Sequence, residues 1–396
     1  MNARTRLVIL LLTGLSIPGL FGLIWRARTG LVHTDLSNHV VWGLWVAMYI
    51  YFLGLSAGGF VLSSLVYGFR IQRLERVGKL AVLQAFVCML VGVTFIWIDL
   101  GHPARFIYVL FSPNPASLLS WEAFVYLIYL FILLVELSIL RPVESADELP
   151  VTRQRLLTVL ALVGIPAAIG VHWGTGALFA VVKARPEWNT GVTPVAFLAS
   201  AAASGAGLLM VLATLFGQKD EEDKATMDFL AKLTAGILVL DALLLVSEAL
   251  VVWYGGVEHD VAAYRHLYFG PYWPVTWILH AGLGLVIPLF LFMTPRLRRN
   301  RAVLTFGAMS VVLGVAGYRL NIVIPAQIDA PFHELVTAYY HVRNIPEYFP
   351  SLMEWLVSLG VIAGGCWLFW CAWMVLGHRP AGQTECAALG TSAATR

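Results

Sequence analysis

Apolar runs separated by short polar stretches dominate the chain. Ten can be counted, at about 7–25, 41–69, 79–98, 119–140, 156–173, 193–216, 230–253, 273–294, 302–322 and 352–376. Most approach or exceed the roughly 20 residues that a helix needs to cross the hydrocarbon core of a bilayer. Lipid leaves every backbone polar group to be satisfied within its own segment, so the pattern predicts an all-α polytopic membrane protein of ten transmembrane helices. The first run follows Arg4 and Arg6 as a secretory signal would. It is long, however, and ends in Trp25-Arg26-Ala27-Arg28 without a small-residue cleavage site, which predicts a retained helix.

Composition agrees with this reading. Of the 396 residues, 59% are hydrophobic and 12% charged, where soluble domains carry about a quarter charged residues. The net charge of +3 and the lack of a basic tract with interleaved aromatics argue against nucleic acid. Lysine and arginine instead mark topology. With the N-terminus in the cytoplasm, 18 of the 26 fall on the cytoplasmic side, as the positive-inside rule requires. The expectation is a multi-pass protein of a prokaryotic inner membrane with both termini cytoplasmic. The charged stretches 141–155 and 217–224 are then inner connectors.

Two segments echo each other: FLGLSAGGFVL (52–62) and FLASAAASGAGLL (197–209) each follow a Phe-Leu pair with small residues. Small residues let helices pack closely in lipid. Four helices separate the copies, so both run the same way. This predicts two parallel-repeat four-helix bundles, at 38–175 and 176–322. Residues 1–37 would supply a flanking helix and outer loop, and 323–396 an outer loop, a second flanking helix and a cytoplasmic tail.

Ionisable residues within such helices cost about 2.5–3.5 kcal/mol each on insertion scales, so they face the protein interior and mark function. Near the outer ends lie Asp99, His102 and Arg105 after the third run, Glu122 opening the fourth, and His172 closing the fifth. Glu248 and Arg319 lie towards the outer ends of the seventh and ninth. Taken singly, each reads as well as a helix-end residue snorkelling to the interface. Deeper are Glu136 and Asp241. Asp241 and Glu248, seven apart, share a helix face about 10 Å apart along the axis, with Lys232 further in. That spacing suits a proton path and equally suits buried ion pairs.

Eleven of the fourteen tryptophans also fall near outer ends, more than an interfacial belt on both sides accounts for. Four cysteines, Cys88, Cys366, Cys371 and Cys386, show no spacing for a zinc site or an iron–sulfur cluster. His280 and His172 make at most one candidate haem pair. No metal, haem or iron–sulfur cluster is therefore expected in this chain. Carboxylate, imidazole, arginine and aromatic walls fit quinol oxidation or quinone reduction, with electrons passed to a neighbouring subunit. A secondary transporter and a passive membrane anchor without quinone chemistry remain open as alternatives.

The motifs also resemble a known family. NHVVWGLWVAMYIYFLGLSAGGF (38–60) resembles the first core helix of the NrfD/PsrC family, the membrane subunits of polysulfide reductase and related complexes, and IDLGHP (98–103) resembles its signature after the next helix. GYRLN (317–321) and YFPSLMEWLVSLGVIA (348–363) are similar to the longer ten-helix branch that includes HybB, DsrP and HmeC. The resemblance implies a haem-free subunit of an oxidoreductase complex that is reactive with menaquinone or another quinone. It would exchange electrons near the outer, periplasmic face with a docked ferredoxin-like iron–sulfur subunit, and it could translocate protons. Carried over residue by residue, Asp99, Glu122, His172 and Arg319 would serve the quinone, with His102 beside them, and Glu248 would join Asp241 and Glu136 in a proton path. His172, Asp99 and Glu122 are the catalytic candidates. Asn38 and His39 resemble a polar pair that some members set against the headgroup, although the HybB-like branch departs there.

Overall fold

A computed structural model describes residues 3–376 apart from 142, 144–145, 186, 218–219, 329–340, 342 and 345–346. Cys386, the residues from 377 and much of the stretch 324–351 therefore lie outside the described residues. Among these residues there is no strand, and ten helices are long and apolar enough to cross a membrane. They are α1 (Ala3–Thr29), α2 (Leu44–Tyr67), α3 (Glu75–Asp99), α4 (Leu118–Leu140), α5 (Val151–Ala180), α6 (Thr193–Phe216), α7 (Glu221–Gly255), α8 (Val275–Met293), α9 (Arg301–Val323) and α10 (Leu352–Val375). The spans expected from the apolar runs are all helical. Successive spans reverse direction, so the connections after odd-numbered helices share one end, called here the odd end.

Helix starts follow local chemistry. Asp220 accepts from the Asp223 backbone N–H at 2.9 Å to cap α7, and Asn300 caps α9 through Ala302 and Val303. Ser351 and Glu354 form a reciprocal capping box on α10. Pro18 and Pro166 sit inside α1 and α5, tolerated because neighbouring helices in a membrane bundle can take up the freed backbone group.

Glycine pairs set the closest crossings. A Cβ built on Gly58 of α2 would lie 2.1 Å from the Ala201 carbonyl oxygen, and one on Gly205 of α6 would lie 2.5 Å from Gly58. Gly314 of α9 meets Gly284 of α8, and Gly19 of α1 meets Gly360 of α10, in the same way. Backbones in contact forgo all side-chain volume at the crossing and gain dispersion along both helices. The two echoing segments thus supply the glycines where α2 crosses α6.

Around that crossing, α2 packs on α3 and α5, and α4 on α3 and α5; α6 packs on α7 and α9, and α8 on α7 and α9. α1 lies along α10, which rests on α3. The even end is clamped by ions. Arg76 bonds Asp220 and Glu222, Arg298 bonds Asp228, and Arg301 lies 2.7 Å from Asp223. The stretch 217–224 is therefore a connector whose charges are used in clamping.

Two features were not foreseen. The stretch between α7 and α8, which the apolar pattern leaves as loop, contains a helix over Glu258–Phe269. The first half of α8, Val275–Val286, is π-helical. The Ile287–Met293 half of α8 packs on α7, whereas the π-helical half leans on α9 and away from α7. A wedge opens between α7 and α8 toward the odd end.

Candidate functional site

At the odd end, α4 and α5 bring a carboxylate into a chain of hydroxyls. Glu122, one turn into α4, is 4% exposed. Its Oε1 accepts from Thr175 Oγ1 at 2.5 Å and from the Tyr126 hydroxyl at 2.6 Å. Tyr49 of α2 bonds the Tyr126 oxygen. Tyr126 has spent its proton on Glu122, so Tyr49 donates and the chain runs Tyr49 to Tyr126 to Glu122. The second carboxyl oxygen, Glu122 Oε2, is buried and has no partner among the described residues. Further down the same face of α4 come Tyr129 and then Glu136, about 21 Å from Glu122 along the axis. Glu136 is fully buried with neither oxygen bonded, and the Tyr129 hydroxyl bonds the Ser56 carbonyl at 3.2 Å.

His172 lies three residues before Thr175, on the same face of α5. It and Arg319 of α9 are both fully buried, and Arg319 Nη2 lies 2.8 Å from His172 Nε2. Arginine has no acceptor, so Nε2 accepts and the proton of the neutral ring sits on Nδ1. That Nδ1–H has no partner among the described residues. Arg319 also reaches Ser200 Oγ at 2.8 Å and the Phe197 carbonyl at 3.2 Å, and it lies over the Phe197 ring at 4.3 Å. Its Nε and Nη1 are buried and unbonded. Asp241 of α7 is 1% exposed and within electrostatic reach of Arg319.

The remaining candidates are placed elsewhere. Asp99, at the end of α3, is half-buried and lies within electrostatic reach of Arg26 and Glu354. Arg26 reaches across from α1 to the Ile98 and Leu100 carbonyls at 2.9 and 2.7 Å. Glu354 accepts from the Tyr348 hydroxyl at 2.5 Å, and that hydroxyl accepts from the Leu44 backbone N–H. Tyr348 lies outside the spans, and burial beside Glu354 holds its hydroxyl well above the usual phenol range, so it stays a donor. Asp99 therefore belongs to the junction of α1, α3 and α10. His102 and Arg105 are exposed, and His39 bonds Asn344 at 2.9 Å while the Asn38 backbone N–H bonds the Arg343 carbonyl. Lys232 pairs on the surface with Asp228 at 2.7 Å.

Glu248 lines a cavity of about 460 Å³ in the α7–α8 wedge, with Trp188, Tyr264, Trp277, His280 and Asn321 among its walls. Glu248 Oε1 accepts from Thr190 at 3.1 Å, and Tyr264 bonds the same carboxylate. Asn321 is 6% exposed, and neither its Oδ1 nor its Nδ2 has a partner among the described residues. Among the described residues no group of three or more His, Cys, Asp or Glu converges as a metal site would.

Several of these residues carry no signal that sequence reasoning used. Tyr126 stands one turn from Glu122, Thr175 one turn from His172, and Asn321 two residues after Arg319. Helical spacing from the charged candidates would have marked the first two.

The comparisons with known proteins agree with this architecture. The family model described as polysulphide reductase, NrfD, matches residues 32–331. The C subunit of selenate reductase from Mesobacillus selenatarsenatis is 35% identical over 90% of this chain and 90% of its own. The Hdr-like menaquinol oxidoreductase integral membrane subunit of Archaeoglobus fulgidus is 28% identical over 90% and 89%. The NrfD homolog of Haemophilus influenzae is 25% identical over 74% of this chain and 96% of its own. The chain is an integral, multi-pass membrane protein and belongs to the NrfD, polysulphide reductase, family.

Proposed function

We propose that this chain is the quinone-reactive membrane subunit of an oxidoreductase complex, exchanging electrons between menaquinol or another quinone and an iron–sulfur subunit docked at the odd end. The observation that carries this reading is a buried donor and a buried acceptor left unbonded on two packed helices, α5 and α4. His172 Nδ1–H and Glu122 Oε2 are both buried without partners among the described residues, and Thr175, three residues from His172, holds the Glu122 carboxyl. Buried polar groups are nearly always bonded, so this pair fits a ligand with two oxygens. Membership of the family supports the same reading, as does the relative named as a menaquinol oxidoreductase subunit.

A quinol bound there supplies two electrons and two protons. His172, held neutral and oriented by Arg319, donates its Nδ1–H to one ligand oxygen. Glu122, held by Thr175 and Tyr126, takes one of the two protons at Oε2. The other, from the oxygen that accepts from His172, leaves to water at the odd end, and both electrons go to the docked iron–sulfur subunit. Tyr126, Tyr129 and Glu136 continue down the same face of α4 as steps for the proton taken by Glu122, and Asp241 near Arg319 offers a branch towards α7. Asp99 acts from outside this group, as a carboxylate near Arg26 that shapes the floor of the α3–α4 connection. His102, Asn38 and His39 would meet a docked partner or a ligand's entry, as their exposed or loop positions suggest.

The odd end is taken as the periplasmic face of an inner membrane, with both termini cytoplasmic. The exposed aromatics Tyr108, Phe111 and Trp121 flank the α3–α4 connection there, which suits a partner lying over Glu122. Residues 38–175 and 176–322 are taken as two rings related by an internal two-fold. His172 with Arg319 and Gly58 with Gly205 have the same sequence separation, and both pairs are in contact, as two such four-helix bundles would require.

The test is a titration of a fluorescent quinol analogue against the purified protein with its partners, wild type beside His172→Ala. Saturable quenching that the substitution weakens tenfold or more is the expected result. No saturable binding to the wild type would sink the quinone reading.

A further inference from the structure

The wedge between α7 and α8 has no part in the site just described, yet it is the more open of the two. Its volume, about 460 Å³, falls within the range of small-molecule sites, roughly 300–1,000 Å³. Asn321 is among its lining residues, and its amide oxygen and amide nitrogen are both buried with no hydrogen-bond partner among the described residues. An amide left so in a membrane interior costs several kcal/mol unless something bonds it. Thr276 and His280 come from the π-helical half of α8, a conformation that recurs at functional sites.

The lining selects the ligand's chemistry. Among the described residues it includes the carboxyl groups of Glu248 and Glu187 but no lysine or arginine, so a phosphate headgroup would find no counter-charge there. Trp188, Tyr264, Tyr268, Trp277 and Tyr318 supply flat aromatic walls. Tyr264 and Tyr268 lie outside the spans, and burial beside Glu248 raises both hydroxyls above the ordinary phenol range, which keeps them donors. Val246, Leu250 and Trp277 line the cavity and are each about half exposed on the apolar flank. A long apolar tail can leave between them into lipid. The occupant is thus neutral, planar, able both to donate and to accept hydrogen bonds, and apolar-tailed.

We propose that this chamber is a second binding site for an isoprenoid quinone or quinol, its headgroup hydrogen-bonded by Asn321 between the aromatic walls. It rests on the quinone reading above and adds a site to it. The two sites stand back to back across the bridge from His172 to Arg319, because Tyr318, the neighbour of Arg319, forms a wall of the chamber.

The test is photolabelling of the intact complex with an azido-menaquinone analogue, mapped by peptide mass spectrometry, in wild type, Asn321→Leu and Ala249→Phe. Leucine replaces an amide that has no partner among the described residues at similar volume, and phenylalanine fills the chamber from α7 while leaving the Asn321 amide in the chain. Expected is label on peptides spanning 245–281 as well as 118–140. Each variant should lower the first at least tenfold and leave the second in place. Label confined to 118–140 would overturn the second site and leave the quinone reading standing. Label on 245–281 that neither variant lowers, or that excess phospholipid removes and excess unlabelled menaquinone does not, would also overturn it. No label anywhere would overturn both.

Discussion

Arg319 Nη2 sits 2.8 Å from His172 Nε2, between two helices on opposite sides of the α2–α6 crossing, with both side chains fully buried. Arginine can only donate, so the contact dictates the imidazole tautomer and aims Nδ1–H away from the bridge. Arg319→Met would leave His172 Nε2 without its donor and the Phe197 carbonyl without one of its contacts. Removing one partner from a buried charged network costs about 3–5 kcal/mol. The expected outcome is a large fall in the melting temperature of the detergent-purified protein together with loss of quinol binding. His172→Ala leaves Arg319 bonded to Ser200 and Phe197, so it should lower binding with a clearly smaller loss of thermal stability. Equal losses of stability in the two variants would argue against the asymmetry.

Glu122→Gln tests proton acceptance apart from structure. Glutamine can still accept from Thr175 and Tyr126 at one oxygen, so the local fold should survive. It cannot take a proton at the other position. A positioned general base contributes about 10²–10⁴-fold. Quinol affinity is expected to stay within a few-fold of wild type while steady-state quinol oxidation by the assembled complex falls at least a hundredfold. A variant with wild-type turnover would remove Glu122 from the chemistry.

The helices were legible because lipid imposes a length and a composition on any span, which the runs display directly. The glycine echo was legible for the same reason, since close backbone approach leaves small residues behind. The grouping of the site residues was not. Asp99 and His172 both read as outer-end polar residues, but the sequence does not say that Arg26 of α1 and Glu354 of α10 lie around the first. Glu248 and Asp241 share a stripe on α7, yet the wedge left by the π-helical turn puts Glu248 in the chamber, while Asp241 lies near Arg319. A change from α to π winding has no periodic signature in an apolar run, so the chamber could not be read from sequence. Tyr126 carries no charge and drew no notice, although helical spacing from Glu122 placed it, whereas Asn321, two residues after Arg319, falls on another face of the helix and had no such marker.

Proton movement separates the two acids that lie deepest. Asp241→Asn is expected to spare quinol oxidation and to lower any coupled proton movement in vesicles containing the complex by the share that leaves through the α7 branch. Glu136→Gln interrupts the face of α4 that runs from Glu122 through Tyr126 and Tyr129, and both its carboxyl oxygens are buried and unbonded. It should therefore reduce proton movement too, without loss of quinol affinity. The measurement is quenching of a pH-sensitive dye on adding quinol. Proton movement unchanged in both variants would rule out a relay through either acid.

The crossing of α2 and α6 gives the sharpest test of the packing. A Cβ on Gly58 would lie 2.1 Å from the Ala201 carbonyl oxygen, well inside van der Waals contact, and the opposing atom is backbone that cannot rotate away. Gly58→Val must push the two helices apart and so pull His172 from Arg319, which lean on the same junction. Overpacking of a close interface costs about 1–3 kcal/mol when side chains can adjust, and more is expected where only backbone can yield. Gly236 of α7 has nothing within 4 Å of its Cβ position, so Gly236→Val is the matched control and should behave as wild type. The readout is the monodisperse fraction on size-exclusion chromatography after solubilisation, expected to collapse for Gly58→Val alone. A Gly58→Val protein as well folded as the control, and still binding quinol, would mean that the two helices do not meet at these glycines.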